Sequence, residues 1–209
     1  LKFLLPIAFF FIFSSILSVF SNKLEINKTI KPKRDLIQVY SNGGIALIIC
    51  SYNYFYPNAL NYYLFLSSIS AAIADTWATE IGKFSKTDPV SIVNFKKIKK
   101  GLSGGITILG LFGSILGAFL LASISLIIYQ IPLKVFYLII FSGLMGSIID
   151  SIIGATLQAK YKNPNGDITE NNSKKNKIIS GYKLVDNNIV NLINTTISPL
   201  IFYLILNIN

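Results

Sequence analysis

The sequence predicts an all-α protein: a polytopic transmembrane helix bundle of about six spans that forms a single integral membrane domain over residues 1–209. Three observations predict this fold class: the composition, a succession of long apolar runs, and the grouping of basic residues between alternate runs. Hydrophobic residues make up 52% of the chain and charged residues only 13%, whereas soluble domains average about 25% charged residues. So few charged side chains cannot cover a soluble globule, and we therefore expect lipid around the helices.

Six runs are long enough for a helix of about 20 apolar residues to cross the hydrocarbon layer. The first could be a signal peptide that follows Lys2, but its apolar run is longer than the roughly 7–15 residues of a signal core. No small-x-small cleavage pattern follows it either, so we interpret it as a spanning helix. The predicted spans are 1–21, 36–56, 60–82, 103–130, 133–158 and 187–207.

The basic residues predict the orientation of the bundle. Loops near 22–35, 83–102 and 159–186 hold 17 of the 19 Lys and Arg residues, and they alternate with short connections, so all three are expected on one side. The positive-inside rule makes that side cytoplasmic. A net charge of +10 would otherwise suggest nucleic-acid binding, but in a chain with these apolar runs it is first a topology signal. We expect a multi-pass membrane protein with its site on the cytoplasmic side and no nucleic-acid partner.

The chain contains no His and only one Cys, Cys50. The most common general base and metal ligand is therefore absent, and neither a disulfide framework nor a Cys metal site can form. Any chemistry must use carboxylates, amides, hydroxyls, Lys and a bound metal ion.

Acidic residues fall near the predicted cytoplasmic ends of two spans, where Asp75 and Glu80 end span 3 and Asp150 lies near the end of span 5. A carboxylate inside the bilayer costs on the order of 2.5–3.5 kcal/mol at mid-helix, so a cation, water or a basic partner must compensate. We predict that these three residues hold Mg²⁺, which prefers one or two carboxylates together with phosphate oxygens. The alternatives are isolated acids that are protonated or reach the interface, and helix-end acids that contact loop lysines.

A lysine run followed by glycines precedes span 4. In this segment, Lys100, Ser103, Gly104 and Gly105 are candidates for binding nucleotide phosphate, because glycines allow backbone N–H groups to approach an anion and a helix N-terminus favours negative charge. The order of residues is not that of a Walker A loop. The alternative is a topology signal followed by glycines that only pack.

Amide side chains recur at helical spacing at the start of two spans. Gln38 and Asn42 lie one turn apart in span 2, and Asn188 and Asn191 begin span 6. Such amides either bridge helices or hold ribose and phosphate oxygens, and the sequence leaves both readings open.

Other patterns predict structure and not chemistry. The spacings Gly113-x3-Gly117 and Gly143-x2-Gly146 are typical of helix packing. Residues 163–176, rich in Asn, Gly and Lys, are expected to form a flexible loop.

Five stretches of the chain resemble, in the same order, the phytyl-phosphate kinase family, also called transmembrane protein 19-like or domain of unknown function 92. ADTWATEIG and the later DSIIGATLQ are the most specific of them. Because the chain begins with Leu, we expect that the family's N-terminal span is missing from it. A more distant likeness is to polyprenol kinases and CDP-diacylglycerol synthases, which use CTP. The matching stretches are 32–44, 71–82, 99–110, 146–158 and 185–195.

The resemblance implies a membrane-embedded kinase that transfers a phosphoryl group from a nucleoside triphosphate, CTP or ATP, to an isoprenoid monophosphate such as phytyl phosphate. Plant members of the family act in tocopherol synthesis. A phosphate monoester, with a second pKa near 6, is ionised at neutral pH and needs no base, so the lack of His is no obstacle. The alternatives are cytidylyl transfer to a lipid phosphate, which releases pyrophosphate, and transport of an ion or small solute.

Overall fold

In the computed structural model of the protein, residues 2–23 and 36–208 are described, and they form six long helices with short strands between them. Most of the predicted loop near 22–35 lies outside the described residues. The helices are α1 (Leu4–Asn22), α2 (Leu36–Phe55), α3 (Ala59–Gly82), α4 (Ile108–Tyr129), α5 (Leu133–Thr156) and α6 (Asn187–Leu206).

Helix α3 lies at the centre of the bundle and packs against all five other helices. Its residues from Phe65 to Ala74 are at most 2% exposed, including three serines. The Ser67 hydroxyl lies 2.8 Å from the Ser142 hydroxyl of α5 and 2.9 Å from the Ser198 hydroxyl of α6. Small side chains let the helices approach closely, and their hydroxyls satisfy one another inside the bundle.

Glycines make the closest helix contacts. A Cβ added at Gly113 of α4 would lie 2.7 Å from the backbone oxygen of Trp77 in α3, and one at Gly143 of α5 would lie 2.1 Å from the Ser70 hydroxyl oxygen. Gly117 lies against the Trp77 ring and Gly146 against Asn194 of α6. The prediction that these four glycines pack helices is confirmed.

The predicted class, an all-α membrane bundle, is also confirmed, and six is an approximate count of its spans. Within the described residues, four helices are both long and apolar enough to cross a membrane: α1, α4, α5 and α6. Helices α2 and α3 have 20 and 24 residues, so they are long enough but less apolar. For α3 the reason is its central position, because its polar side chains face other helices and not lipid.

The two described polar connections form small sheets. The segment between α3 and α4 contains β1 (Val90–Ser91) paired antiparallel with β2 (Gly105–Ile106). The segment between α5 and α6 contains an antiparallel sheet in the order β4-β3-β5. The expectation of an irregular flexible loop over 163–176 is corrected, because β4 lies inside it. The strands are β3 (Lys160–Lys162), β4 (Ile168–Thr169) and β5 (Lys177–Ser180).

Both connections lie at the same end of the bundle, here called the loop end. Lys99 of the first pairs with Asp167 of the second at 3.2 Å, and Gly104 lies against Ala155 at the end of α5. The structure therefore brings together two of the three basic loops predicted to share a side. That this side is cytoplasmic stays a prediction.

Candidate active site

A cavity of about 530 Å³ opens at the loop end of the bundle. Its walls come from the last turns of α3, the start of α4, the last turns of α5 and the chain between α3 and α4. Its polar and charged lining residues include Asp75 and Lys83 at the end of α3, Asp150 of α5, Lys100 and Ser103 of the α3–α4 connection, and Glu170 of the α5–α6 connection. Residues from several helices and from both connections thus line one space at the loop end.

Two of the three predicted metal ligands, Asp75 and Asp150, line this cavity from neighbouring helices. The Oδ2 atom of Asp150 is buried, and within the described residues it has no hydrogen-bond partner. Ser147 and Ser151, on either side of Asp150 in the sequence, also line the cavity. A buried carboxylate oxygen without a partner is costly, and a bound cation would remove that cost.

Glu80, the third predicted ligand, does not line the cavity. Its carboxylate accepts hydrogen bonds from the Ser21 hydroxyl of α1 and from Lys83 Nζ, the latter at 2.5 Å. The physical reason is helix geometry, because five residues turn an α-helix by about 140° and point Glu80 away from Asp75. Among the described residues, no three acidic side chains are grouped closely enough to hold a metal ion by themselves. The grouping of Glu80 with the other two acids is therefore corrected, and metal binding by Asp75 and Asp150 stays a prediction.

The glycine loop, residues 100–105, forms part of the cavity wall, and its four predicted phosphate-binding residues all line the cavity. Gly101 and Gly104 have φ angles of +87° and +82°, a region that glycine enters without strain. A Cβ at Gly104 would lie 2.5 Å from the Ala155 Cα, so only glycine fits there. Because of this turn, α4 begins at Ile108 and not at the predicted 103, with the Thr107 side chain accepting from the Gly110 N–H at 2.9 Å.

Lysines bring positive charge to the same space. Lys83 and Lys100 both line the cavity, and Lys100 Nζ donates to the backbone oxygen of Ser85 at 3.1 Å. Lys160 Nζ donates to the backbone oxygen of Ser103 at 3.3 Å. The cavity therefore combines carboxylates, lysines and a glycine-rich backbone, groups of the kind that hold a phosphate with its metal ion.

The predicted amide residues are not among those that line the cavity. Asn42 Nδ2 donates to the backbone oxygen of Gln38, one turn earlier in α2, at 2.9 Å. Asn188 Nδ2 donates to Asp186, the N-cap of α6, at 3.3 Å. Asn191 is 7% exposed within the bundle. Of the amides at the start of α6, it is Asn187 that reaches the cavity.

The structure also adds a residue that sequence reasoning missed. Glu170, directly after β4, accepts from the Ser103 N–H at 2.6 Å, from the Ser103 hydroxyl at 2.9 Å and from Gln158 Nε2 at 2.9 Å. In the sequence, Glu170 is an acidic residue that follows the apolar–polar pair Ile168-Thr169. It was missed because this segment was predicted to be a loop. No local pattern places that segment against the glycine loop.

Comparison with known proteins places the chain in a family. The sequence profile described as "Integral membrane protein DUF92" matches residues 1–198. The chain belongs to the DUF92 family. This membership confirms the resemblance found in the sequence. Three of the stretches that carry it, 71–82, 99–110 and 146–158, supply most of the cavity wall in this DUF92 protein.

Named relatives include proteins from an archaeon and a plant. "Uncharacterized membrane protein MJ0933" of Methanocaldococcus jannaschii is 32% identical over 76% of this chain and 66% of its own length. "Protein PGR" of Arabidopsis thaliana is 34% identical over 57% of this chain and 46% of its own length. "Protein VTE6, chloroplastic" of the same plant is 27% identical over 66% of this chain and 35% of its own length. The DUF92 chain thus spans only part of these relatives, and no solved structure matches it significantly.

Proposed function

We propose that this DUF92 protein is a lipid phosphate kinase that transfers a phosphoryl group from a nucleoside triphosphate to an isoprenoid monophosphate such as phytyl phosphate. One observation carries the proposal: Asp75, Asp150 and the glycine loop line one cavity of about 530 Å³ at the loop end of a membrane bundle. The confirmed family resemblance supports it, because the family named from these motifs is that of the phytyl-phosphate kinases.

The residues present fit a Mg²⁺ ion. Mg²⁺ is commonly bound by one or two carboxylates while phosphate oxygens and water complete its shell, and the cavity offers two carboxylates. The unpartnered, buried Oδ2 of Asp150 is the atom that most needs such a ligand. When bound, the ion would neutralise charge on the transferred phosphoryl group.

The nucleotide phosphates are expected at the glycine loop. Gly101 and Gly104 allow the positive-φ turn that brings the loop backbone to the cavity, and Lys100 supplies positive charge. Phosphoryl transfer depends mainly on positioning and charge neutralisation. The lipid monophosphate is already ionised at neutral pH, so the cavity needs no general base. Its apolar tail would lie between the helices, with its phosphate facing the nucleotide at the cytoplasmic side.

The packing of the bundle beyond the cavity favours an enzyme over a transporter. Towards the other end of α3, the residues from Phe65 to Ala74 are at most 2% exposed. The cluster around them is apolar and includes Leu121 and Ile139. A transport path would need an open polar passage through both halves of the bilayer, whereas the described core is closely packed there and its buried serine hydroxyls bond one another.

The test is an assay of the purified protein in lipid nanodiscs with phytyl phosphate or geranylgeranyl phosphate, Mg²⁺ and each nucleoside triphosphate in turn. We expect the lipid diphosphate and a nucleoside diphosphate, identified by mass. A cytidylyl-lipid with pyrophosphate would instead show cytidylyl transfer. Solute flux in proteoliposomes without nucleotide turnover would show a transporter, and turnover that persists unchanged in EDTA would contradict the Mg²⁺ assignment.

A further inference from the structure

The carboxylate of Glu170 sits where the proposed function needs a phosphate. Both of its oxygens are held by donors of the glycine loop, since the Ser103 N–H and hydroxyl lie 2.6 and 2.9 Å away. Backbone N–H and hydroxyl donors of this kind are typical of phosphate sites. The Glu170 carboxylate, an anion of the protein itself, therefore occupies the position where a phosphate is expected to bind.

Gln158 makes this a built site and not a surface contact. Its side chain is 2% exposed and donates through Nε2 to the same Glu170 oxygen that accepts from the Ser103 hydroxyl. Its other polar atom, Oε1, is buried without a partner among the described residues. Three donors from two separate chain segments thus converge on one anion.

Glu170 belongs to a hairpin that is tied down elsewhere. In the β3–β4 hairpin, residues 160–170, Tyr161 pairs with Thr169. Asp167 pairs with Lys99 at 3.2 Å and its N–H donates to the Asn163 side chain at 2.8 Å. Lys160 also holds the backbone of Ser103. These contacts do not involve Glu170, so the hairpin could stay attached while the Glu170 carboxylate leaves its position.

Moving Glu170 would also enlarge the space for a ligand. A second cavity, of about 290 Å³, lies between the glycine loop and the hairpin, and Glu170, Lys100, Gly101 and Leu102 line both cavities. A nucleotide needs room for a nucleoside as well as for its phosphates. The shared wall is the place where the two spaces would join.

We propose that Ser103 and Gln158 form a phosphate-binding position that Glu170 occupies as a displaceable internal anion, so that a nucleotide phosphate binds by taking its place. This rests on the proposed function for the identity of the ligand, though not for the existence of the anion position. The hairpin thereby becomes a nucleotide-sensing element: with nucleotide bound, the Glu170 carboxylate moves into solvent and the hairpin loses three hydrogen bonds.

The experiment measures equilibrium binding of pyrophosphate and of CTP and ATP to the full chain in nanodiscs, without lipid substrate. Glu170→Gln removes the competing charge and keeps the size of the side chain. Because the amide binds the Ser103 and Gln158 donors more weakly than the carboxylate does, it competes less with the ligand, and we expect about tenfold tighter pyrophosphate binding. The matched control is Asp88→Asn, which removes an exposed carboxylate from the loop end outside both cavities and should change affinity less than about twofold.

Hydrogen exchange provides a second readout. In the unmodified protein, pyrophosphate should speed amide exchange over residues 167–170, whereas in Glu170→Gln these amides should exchange fast with or without it. The proposal would be overturned if Glu170→Gln bound pyrophosphate equally or more weakly, or if binding slowed amide exchange. Glu170 would then only stabilise the glycine loop. If Glu170→Gln binds pyrophosphate more tightly but the protein phosphorylates no isoprenyl phosphate, the anion position is supported and the kinase proposal is wrong. If the protein is an active kinase but Glu170→Gln does not change pyrophosphate binding, the kinase proposal is supported and the displaceable anion is wrong.

Discussion

The two faces of α3 differ in whether their acidic residues have a charged partner. On the face towards α1, Glu80 pairs with Lys83 and accepts from Ser21, and both members of the ion pair are only 11–12% exposed. On the face towards α4 and α5, Asp75 lines an open cavity together with Asp150, whose Oδ2 has no partner in the described part of the chain. The two acids of α3 are five residues apart, yet one is neutralised within the protein and the other is not.

The contrast shows how to separate structural acids from functional ones inside a membrane. A buried charge is tolerated when a partner is fixed beside it, and Glu80 meets that condition from its own helix and from α1. Asp150 does not, since no ion pair to it is present among the described residues. We infer that the first face contributes to stability and the second to chemistry, and each prediction below tests one side of that division.

The largest effect is expected for Asp150→Asn. The amide keeps the size of the side chain but cannot hold a cation or stabilise charge in the same way, so kcat for lipid phosphate turnover should fall at least about 100-fold. The measurement is steady-state formation of lipid diphosphate at saturating nucleotide.

The matched control for that substitution is Glu80→Gln, which also converts an acid near the end of a helix to an amide. It should keep kcat within about threefold, because Glu80 lies outside the cavity. Equal losses in the two variants would erase the distinction between the faces.

Stability should show the opposite ranking. Removing one partner of a buried ion pair leaves the other charge uncompensated, so Glu80→Gln should lower the free energy of unfolding by about 3 kcal/mol. Asp150→Asn should leave it unchanged or raise it, because it removes an unpaired charge from the interior. Unfolding in mixed micelles with increasing SDS, followed by circular dichroism, measures both; a larger loss for Asp150→Asn would reverse the assignment.

How far the sequence predicted the structure depends on the range of the interaction. Apolar runs and the Pro57 and Pro132 breaks determine helices locally, and five of the six predicted spans agree with the helices to within about three residues at each described end. The exception is the start of α4, where Gly104 adopts a positive φ because the backbone of Ala155 leaves no room for a side chain. That neighbour comes from α5, so no local pattern could show it.

The sequence predicted the site residues whose position depends only on their depth along a helix. It missed those whose position depends on the direction in which the side chain points. Depth along a helix follows from counting residues, which placed Asp75 and Asp150 at one level. Which way Glu80 points depends on whether α1 or α4 packs on that side, which is a tertiary fact. Glu170 required the register of a hairpin and its contact with a loop 67 residues away.

A smaller effect on stability alone is expected at Trp77, on the α1 side of α3. Its Nε1 donates to the Ser14 hydroxyl at 3.2 Å, and its ring fills the space against Gly117 and Phe9. Trp77→Phe loses that hydrogen bond and leaves a small void, so the free energy of unfolding should fall by about 1–2 kcal/mol while kcat stays within about twofold. A loss of activity without a loss of stability would show that the α1 face takes part in the reaction.

The smallest effect should come from Asn42→Ala, which tests the amides that the sequence grouped with the site. Asn42 lies in α2 outside the residues that line the cavity, and its Nδ2 already donates to the Gln38 backbone within its own helix. The substitution therefore removes only a hydrogen bond within α2, and alanine favours helical structure. Both kcat and KM for the lipid phosphate should stay within about twofold of the unmodified protein, measured in the same nanodisc assay. A rise of tenfold or more in the KM for the lipid, with the KM for the nucleotide unchanged, would place the lipid headgroup against α2 and extend the site beyond the cavity between α3 and α5.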